Sequence, residues 1–385
     1  MQPADRTKRI AAFKVMELMS RANELAGLGH DVIHLEVGEP DFNTPAPIIT
    51  AAQRGLNLGE TKYTDARGNL ELRQAISSYY FNCFGLEIET NRIFVTAGAS
   101  GGLLLLTGLR VNSGEKLLMA DPGYPCNRHF LASFGAEGRL VPVSASDNYQ
   151  LTLSAVNEFW DQNTRGVLAA SPANPTGAVL EPEELKSLYE DVRKRSGIFL
   201  VDEIYQGLNY GEQAPYSALG VSNDVLVVNS FSKYFGMTGW RLGWVVVPEA
   251  LGPDLEKLAQ NLFICPSSIA QYAATQAFSA EALEIMESQR SEFARRRNYL
   301  VPALRQLGFD IPLDPAGAFY VYCGLPDTVE DSETFCRRLL DTEFVAITPG
   351  TDFGLNEANR KVRISYTRDI PELEEALARI ERALR

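Results

Sequence analysis

The chain has 385 residues, 45% hydrophobic and 22% charged, which excludes disordered and collagen-like classes and suits one large or two ordinary folded domains. Its net charge of -13 argues against a nucleic-acid-binding or anionic-membrane surface. Five scattered cysteines without C-x-x-C spacing fit reduced thiols, three histidines make a metal centre unexpected, and the N-terminus lacks an apolar signal segment, so a cytoplasmic protein is expected.

Residues 10 to 26 carry Ile10, Phe13, Met16, Leu18 and Leu25 at helical spacing and end at Gly27, a helix stop. From about residue 45 to 280, β-branched runs alternate with helical patterns. Strands are expected at 92–96, 116–120, 166–170, 198–201 and 225–228, and helices at 98–109 and from Glu181 onward. Such alternation predicts an α/β fold whose mostly parallel sheet is covered by helices on both faces, with ligands bound outside the carboxyl ends of the strands. After residue 280 the rhythm changes to a charged helix over 288–304, strands near 318–322, 345–347 and 362–365, and helices over 332–340 and 371–384. The expected organisation is a large domain over 45–280 and a smaller α+β domain built from 1–44 and 281–385.

The segment Ser230-Phe231-Ser232-Lys233 follows the apolar run 225–228. A lysine leaving the end of a buried strand can have its ammonium desolvated and its pKa lowered, as a Schiff-base lysine requires. Ser230, Ser232 and Arg241, eight residues after the lysine, suit a phosphate, which arginine clamps with a planar fork of donors. Asp202, in Leu200-Val201-Asp202-Glu203-Ile204-Tyr205, ends another apolar strand, and a buried carboxylate needs a partner. Taken alone, the segment reads better as a helix N-cap at Asp202 with Tyr205 a core aromatic. In Ser171-Pro172-Ala173-Asn174-Pro175 the prolines fix the backbone and aim the Asn174 amide, although Asn-Pro also marks ordinary turns. Thr96-Ala97-Gly98-Ala99-Ser100 joins a strand to a helix whose first amides can close around an anion, a feature shared with nucleotide-binding proteins. Tyr124, after the strand at 116–120, offers a flat face for stacking on a ring.

Taken in order, these segments resemble the fold-type I pyridoxal-phosphate enzymes, specifically the class I/II aminotransferases. The resemblance runs from Val37-Gly38-Glu39-Pro40-Asp41-Phe42 to Val362-Arg363-Ile364-Ser365. It implies pyridoxal 5'-phosphate as cofactor, carried as a Schiff base on Lys233, which would then serve as general base and acid. Asp202 would pair with the pyridine nitrogen, while Asn174 and Tyr205 would bond the 3-oxygen. Arg241, Ser230, Ser232 and the Ala99 and Ser100 amides would hold the phosphate, and Tyr63 would reach the phosphate of a neighbouring subunit. Arg363, with Asn174 and the Gly38 backbone, would clamp the substrate α-carboxylate. The same resemblance implies a homodimer acting on an amino acid and a 2-oxo acid.

Competing readings are another fold-type I enzyme such as a C–S lyase, an aspartate aminotransferase, and a nucleotide-binding oxidoreductase. The last would leave Lys233, Asp202 and Arg363 unexplained and lacks G-x-G-x-x-G after the first strand. In the bacterial aspartate enzymes that the chain resembles, a lysine often follows the glycine turn, where Ser100 stands here. A serine brings no charge for a distal carboxylate. Phe13, Met16 and Ile264 are candidate apolar lining, so a neutral or aromatic amino-acid donor is expected, with 2-oxoglutarate or pyruvate as acceptor.

Overall fold

The computed structural model describes residues 2–211 and 215–385. Helix α1 (Lys14–Gly27) and the short strand β1 (Ile33–His34) are followed by helices α2 (Ala46–Leu58) and α3 (Leu70–Phe84). The alternating region then runs β2 (Ile93–Thr96), α4 (Gly98–Arg110), β3 (Lys116–Asp121), α5 (Pro125–Ser133), β4 (Glu137–Pro142), α6 (Leu153–Phe159) and β5 (Thr164–Ala170). It continues with α7 (Pro182–Lys194), β6 (Ile198–Asp202), β7 (Leu226–Ser230) and β8 (Gly243–Val246). Helices α8 (Gly252–Leu262), α9 (Ser268–Ala274) and α10 (Ala280–Gln306) lead to β9 (Tyr320–Gly324), α11 (Ser332–Glu343), β10 (Val345–Ala346), β11 (Thr348–Pro349), β12 (Lys361–Ser365) and α12 (Ile370–Leu384).

Seven strands form one sheet in the order β2-β8-β7-β6-β5-β3-β4. Strands β3 to β7 pair in parallel, while β8 runs antiparallel to both β2 and β7. The alternation of side chains along a strand explains why both faces are covered. Phe199, Val201 and Val227 enter the larger apolar core, whereas Ile198, Leu200, Leu226 and Val228 enter a second core with α4 and α8 on the opposite face. The parallel arrangement brings the carboxyl ends of β5, β6 and β7 to one edge, with Ala170 beside Asp202 and Asp202 beside Val228.

A three-stranded antiparallel sheet, β11-β12-β9, stands apart from the large one. The N-terminal segment belongs with it: β1 pairs with β10, and α1 packs on α11 and β11. The apolar pattern over 10–26 therefore marks a real helix, but it begins later than its periodicity predicts. The amides of Lys14 and Val15 reach the buried Asp352 carboxylate, which caps the helix from outside the segment. The helix predicted over 288–304 is likewise the C-terminal part of the longer α10 (Ala280–Gln306). No helix among the described residues is long and apolar enough to cross a membrane.

Candidate active site

Lys233 leaves the end of β7 and turns its amine into a cleft at the carboxyl edge of the large sheet. Its Nζ donates to the Gly38 carbonyl at 2.6 Å, on the strap that follows β1. Burial lowers its pKa to about 8; Glu39 opposes that shift, while Arg363 and Arg241 reinforce it. The strap can lie this close only because residue 38 is glycine. A Cβ there would fall 1.9 Å from the Tyr320 hydroxyl oxygen.

Asp202 is 3% exposed, and its carboxylate accepts a hydrogen bond from the Ile204 amide at 3.1 Å. No helix follows it, so the N-cap reading falls; the residues after β6 form turns. No ion pair to it occurs among the described residues, and burial raises its pKa to about 7. An acid in this state lacks a cationic hydrogen-bond partner. Tyr205, buried nearby, meets the Tyr320 hydroxyl at 2.8 Å. Asn174 is buried, and its side-chain oxygen accepts from Arg363 Nη1 at 3.0 Å. The Tyr124 phenol is held neutral by burial, and its ring takes Phe13 edge-on at 6.1 Å.

Around the other end of the lysine segment lies an open cradle. Gly98 opens α4 at φ 69°, and a Cβ there would sit 2.7 Å from an Arg241 guanidinium nitrogen. Ala99 and Ser100 occupy the first turn of that helix, where amides have no intrahelical acceptor. The Ser230 hydroxyl oxygen accepts from the Ser232 amide at 3.0 Å, folding the backbone back beside them. Arg241, itself at φ 53°, anchors one nitrogen on the Thr238 carbonyl at 3.0 Å and leaves donors toward the cradle. Helix-terminal amides beside an arginine form an anion site.

Arg363, 2% exposed on β12, faces the same cleft from the small sheet. Besides Asn174, it donates to the Glu36 carbonyl and to the Thr348 hydroxyl. Its guanidinium carbon lies 4.3 Å from the Tyr320 ring centroid and 4.7 Å from that of Phe353. Its Nε is buried without a partner, so the fork is held but incompletely satisfied. The strap in front of it is pinned by Asp41, which pairs at 2.8 Å with the buried Arg296 of α10; Arg296 also reaches Glu292 at 3.0 Å.

Contacts thus link Lys233, Gly38, Tyr205, Asn174 and Arg363 by way of Tyr320. Asp202 and Tyr124 lie near enough for their charges to be felt there, and Ser230, Ser232 and Arg241 stand with Ala99 and Ser100 beside the start of α4. An uncompensated buried carboxylate, a lysine of lowered pKa and an arginine-flanked helix terminus fit a phosphorylated pyridine carrying an aldehyde. Tyr63 is not brought there within this chain; it stands 81% exposed between α2 and α3. Met16 and Ile264, expected as pocket lining, both face solvent, and of those candidates only Phe13 contacts a cleft residue, Tyr124. Sequence reasoning missed Tyr320 as a site residue. Its local signal was the Tyr-x-Tyr spacing on β9, whose pairing with the arginine strand sets Tyr320 opposite Ser365 and Tyr322 opposite Arg363.

A family model described as aminotransferase class I and II matches residues 30–380. The chain is similar to a valine–pyruvate aminotransferase of Mycobacterium tuberculosis, 38% identical over 96% of this chain and 96% of the relative. It is also similar to an aspartate aminotransferase of Pyrococcus horikoshii, 34% identical over 99% and 97% of the two chains. A crystal structure of an aminotransferase from Mycobacterium tuberculosis superposes with a TM-score of 0.95 at 38% identity, covering 100% of this chain and 99% of that one.

Proposed function

Because the chain belongs to the class I and II aminotransferases and is a pyridoxal-phosphate-dependent transaminase, we propose that Lys233 carries the cofactor and moves the substrate proton. Pyridoxal phosphate, when bound, supplies an electron sink for the charge left at the amino acid's α-carbon. The single observation that carries the assignment is that Lys233, its pKa lowered to about 8 by burial, stands near enough to the buried Asp202 for each to offset part of the other's shift, with no salt bridge between them. An amine with that pKa has a neutral fraction of about a tenth at pH 7, far more than an ordinary lysine, and in that form can accept the α-proton at its Nζ.

The other roles follow from where donors and acceptors stand. Asp202 receives the pyridine N–H, and Asn174 and Tyr205 donate to the 3-oxygen. Tyr124 stacks on the ring, while Arg241, Ser230, Ser232 and the Ala99 and Ser100 amides hold the phosphate. Arg363 takes the α-carboxylate with its fork, aided by the Asn174 side chain and the Gly38 backbone. The unsatisfied Arg363 Nε supports that role, since a carboxylate would supply the missing acceptor. We take 45–280 as the cofactor-binding domain and 1–44 with 281–385 as the domain that brings Arg363 over it.

Members of the family are typically dimeric and use amino and 2-oxo acids. We infer a homodimer in which the exposed Tyr63 reaches the partner's phosphate site; Leu56, Leu58 and Leu70, exposed on the same stretch of chain, support a covered surface there. Five free thiols suit a cytoplasmic enzyme.

For the donor, we infer a neutral or aromatic amino acid, with pyruvate or 2-oxoglutarate as acceptor. Ser100 in the first turn of α4 and Phe13 against Tyr124 support an uncharged pocket, as does the likeness to the valine–pyruvate enzyme. A donor panel at fixed acceptor tests this. Valine, methionine or phenylalanine should exceed aspartate in kcat/KM by at least about tenfold, ~1.4 kcal/mol of transition-state preference; an aspartate lead of that size reverses the reading.

A further inference from the structure

Tyr320 sits where the cleft's parts converge. It is 1% exposed at the start of β9, and its hydroxyl lies 2.8 Å from that of Tyr205. The two rings meet edge to face, 5.7 Å apart, and Phe319 packs 5.5 Å from Tyr205 on the same side. Arg363 covers the Tyr320 ring at 4.3 Å, and the Gly38 backbone presses so close to the Tyr320 hydroxyl that no side chain fits at residue 38. One hydroxyl therefore touches the strap that holds the lysine amine, and its ring carries the arginine expected to hold the substrate.

We propose that Tyr320 is a positioning residue for the reaction centre: its hydroxyl fixes the Tyr205 phenol in the orientation that meets the cofactor's 3-oxygen. The inference rests on the reading that Tyr205 bonds that oxygen. A phenol O–H can rotate between two in-plane directions. With Tyr320 donating to the Tyr205 oxygen, the Tyr205 proton is directed away from Tyr320 and toward the cleft. Donation of this kind also polarises the acceptor and strengthens its own outgoing bond, by roughly 10–30% in condensed-phase estimates. Both phenols remain protonated donors, because burial raises the pKa of each. The charged and titratable groups around the pair are Arg363 from β12, Tyr124 beyond β3 and Tyr366 beyond β12, with Lys233 5.9 Å above the Tyr205 ring. None of these bonds the Tyr205 hydroxyl; among the described residues its partner is Tyr320.

The test uses the cofactor-loaded wild type, Y320F, Y205F and the double variant without substrate, and reads the pH midpoint of the cofactor's visible absorbance. A weaker bond to the 3-oxygen disfavours its anionic form, so Y205F should raise the midpoint. Y320F should raise it by less, about a few tenths of a pH unit, and should leave it unchanged in the Y205F background. Tyr320→4-aminophenylalanine, which restores a donor at the same place, should return the midpoint toward wild type and covers the case of a poorly folding Y320F. Equal shifts from Y320F in both backgrounds, no shift in the wild-type background, or failure of the amine to restore the midpoint overturns the proposal. If Y205F itself leaves the midpoint unmoved, the assignment of Tyr205 fails first, and that outcome is distinct from the others.

Discussion

In the floor of the cleft, contacts are local: Asp202 is held by an amide two residues on, the Ser230 hydroxyl by one two residues on, and Arg241 by a carbonyl three residues back. In the roof, the separations are 255 residues for Arg296 with Asp41 and 327 for Arg363 with Glu36, and the bond from Lys233 of the floor up to Gly38 of the roof spans 195. The difference teaches where each kind of chemistry is stored. Strand ends present the groups that bind and tune the cofactor, and a long-range assembly of strap, helix and small sheet presents the groups that receive substrate. Mutations in the floor should therefore alter chemistry, while those in the roof should alter substrate capture.

The largest effect should come from the floor. Lys233→Ala is expected to abolish transamination in a steady-state assay, because covalent attachment and proton transfer are lost together; the latter alone is worth about 10²–10⁴-fold. Its fold and assembly should persist by circular dichroism and sizing. Turnover near the wild-type rate without added amines would remove the lysine from the reaction. Next in size, Asp202→Ala should lower kcat by roughly 10²–10⁴, the scale of ~3–5 kcal/mol lost when a buried charge pair loses one member. Asp202→Glu should keep part of the rate. If both variants match wild type, the floor's chemistry does not pass through this carboxylate.

The roof should respond differently. Arg363→Lys keeps the charge but loses the planar fork, and should reduce kcat/KM by about tenfold to a hundredfold, ~1.4–2.7 kcal/mol, with KM rising more than kcat falls. A pure kcat loss would move Arg363 into the floor's class.

The smallest effect separates the two regions without any turnover. In the cofactor-free protein the Asp202 carboxyl titrates at about 7, above its usual 3.8, so the folded state holds this proton more tightly than the unfolded state. Its contribution to stability therefore falls as pH rises from about 4 to about 7. Lys233, at about 8 against a usual 10.5, is the reverse case: its penalty is full below about 8 and disappears as pH rises toward 10.5. The melting temperature of cofactor-free Asp202→Asn should then exceed that of cofactor-free wild type at about pH 7.5, with the gap closing toward about pH 4. A gap that is constant with pH would show that Asp202 is already compensated without cofactor.

The same contrast explains what could be read before the fold was known. Lys233, Asp202, Asn174 and Gly98 sit in short segments where an apolar run ends in a polar residue, and strand ends in such sheets are where ligands bind. Arg363 stood out because apolar neighbours flank it on both sides. Tyr320 could not be found that way: its role comes from Gly38 and Tyr205, 282 and 115 positions away in the chain, and no local pattern records that meeting. The start of α1 was hidden for a similar reason, since its cap is Asp352. Ile264 was hard to place because an apolar residue in an irregular segment carries no period that tells inside from outside; in the single chain it stands exposed.

Gly38 gives Lys233 its carbonyl, but the strap bearing it is pinned through Asp41 by Arg296, and Arg363 reaches it from the last strand. During synthesis the lysine thus emerges well before the helix and strand that complete its surroundings. The site that should receive the cofactor is finished only after the strand bearing Arg363 has left the ribosome. Loading is then a late event in the life of the polypeptide, and truncation near the C-terminus would cost the site as surely as a change at the lysine itself.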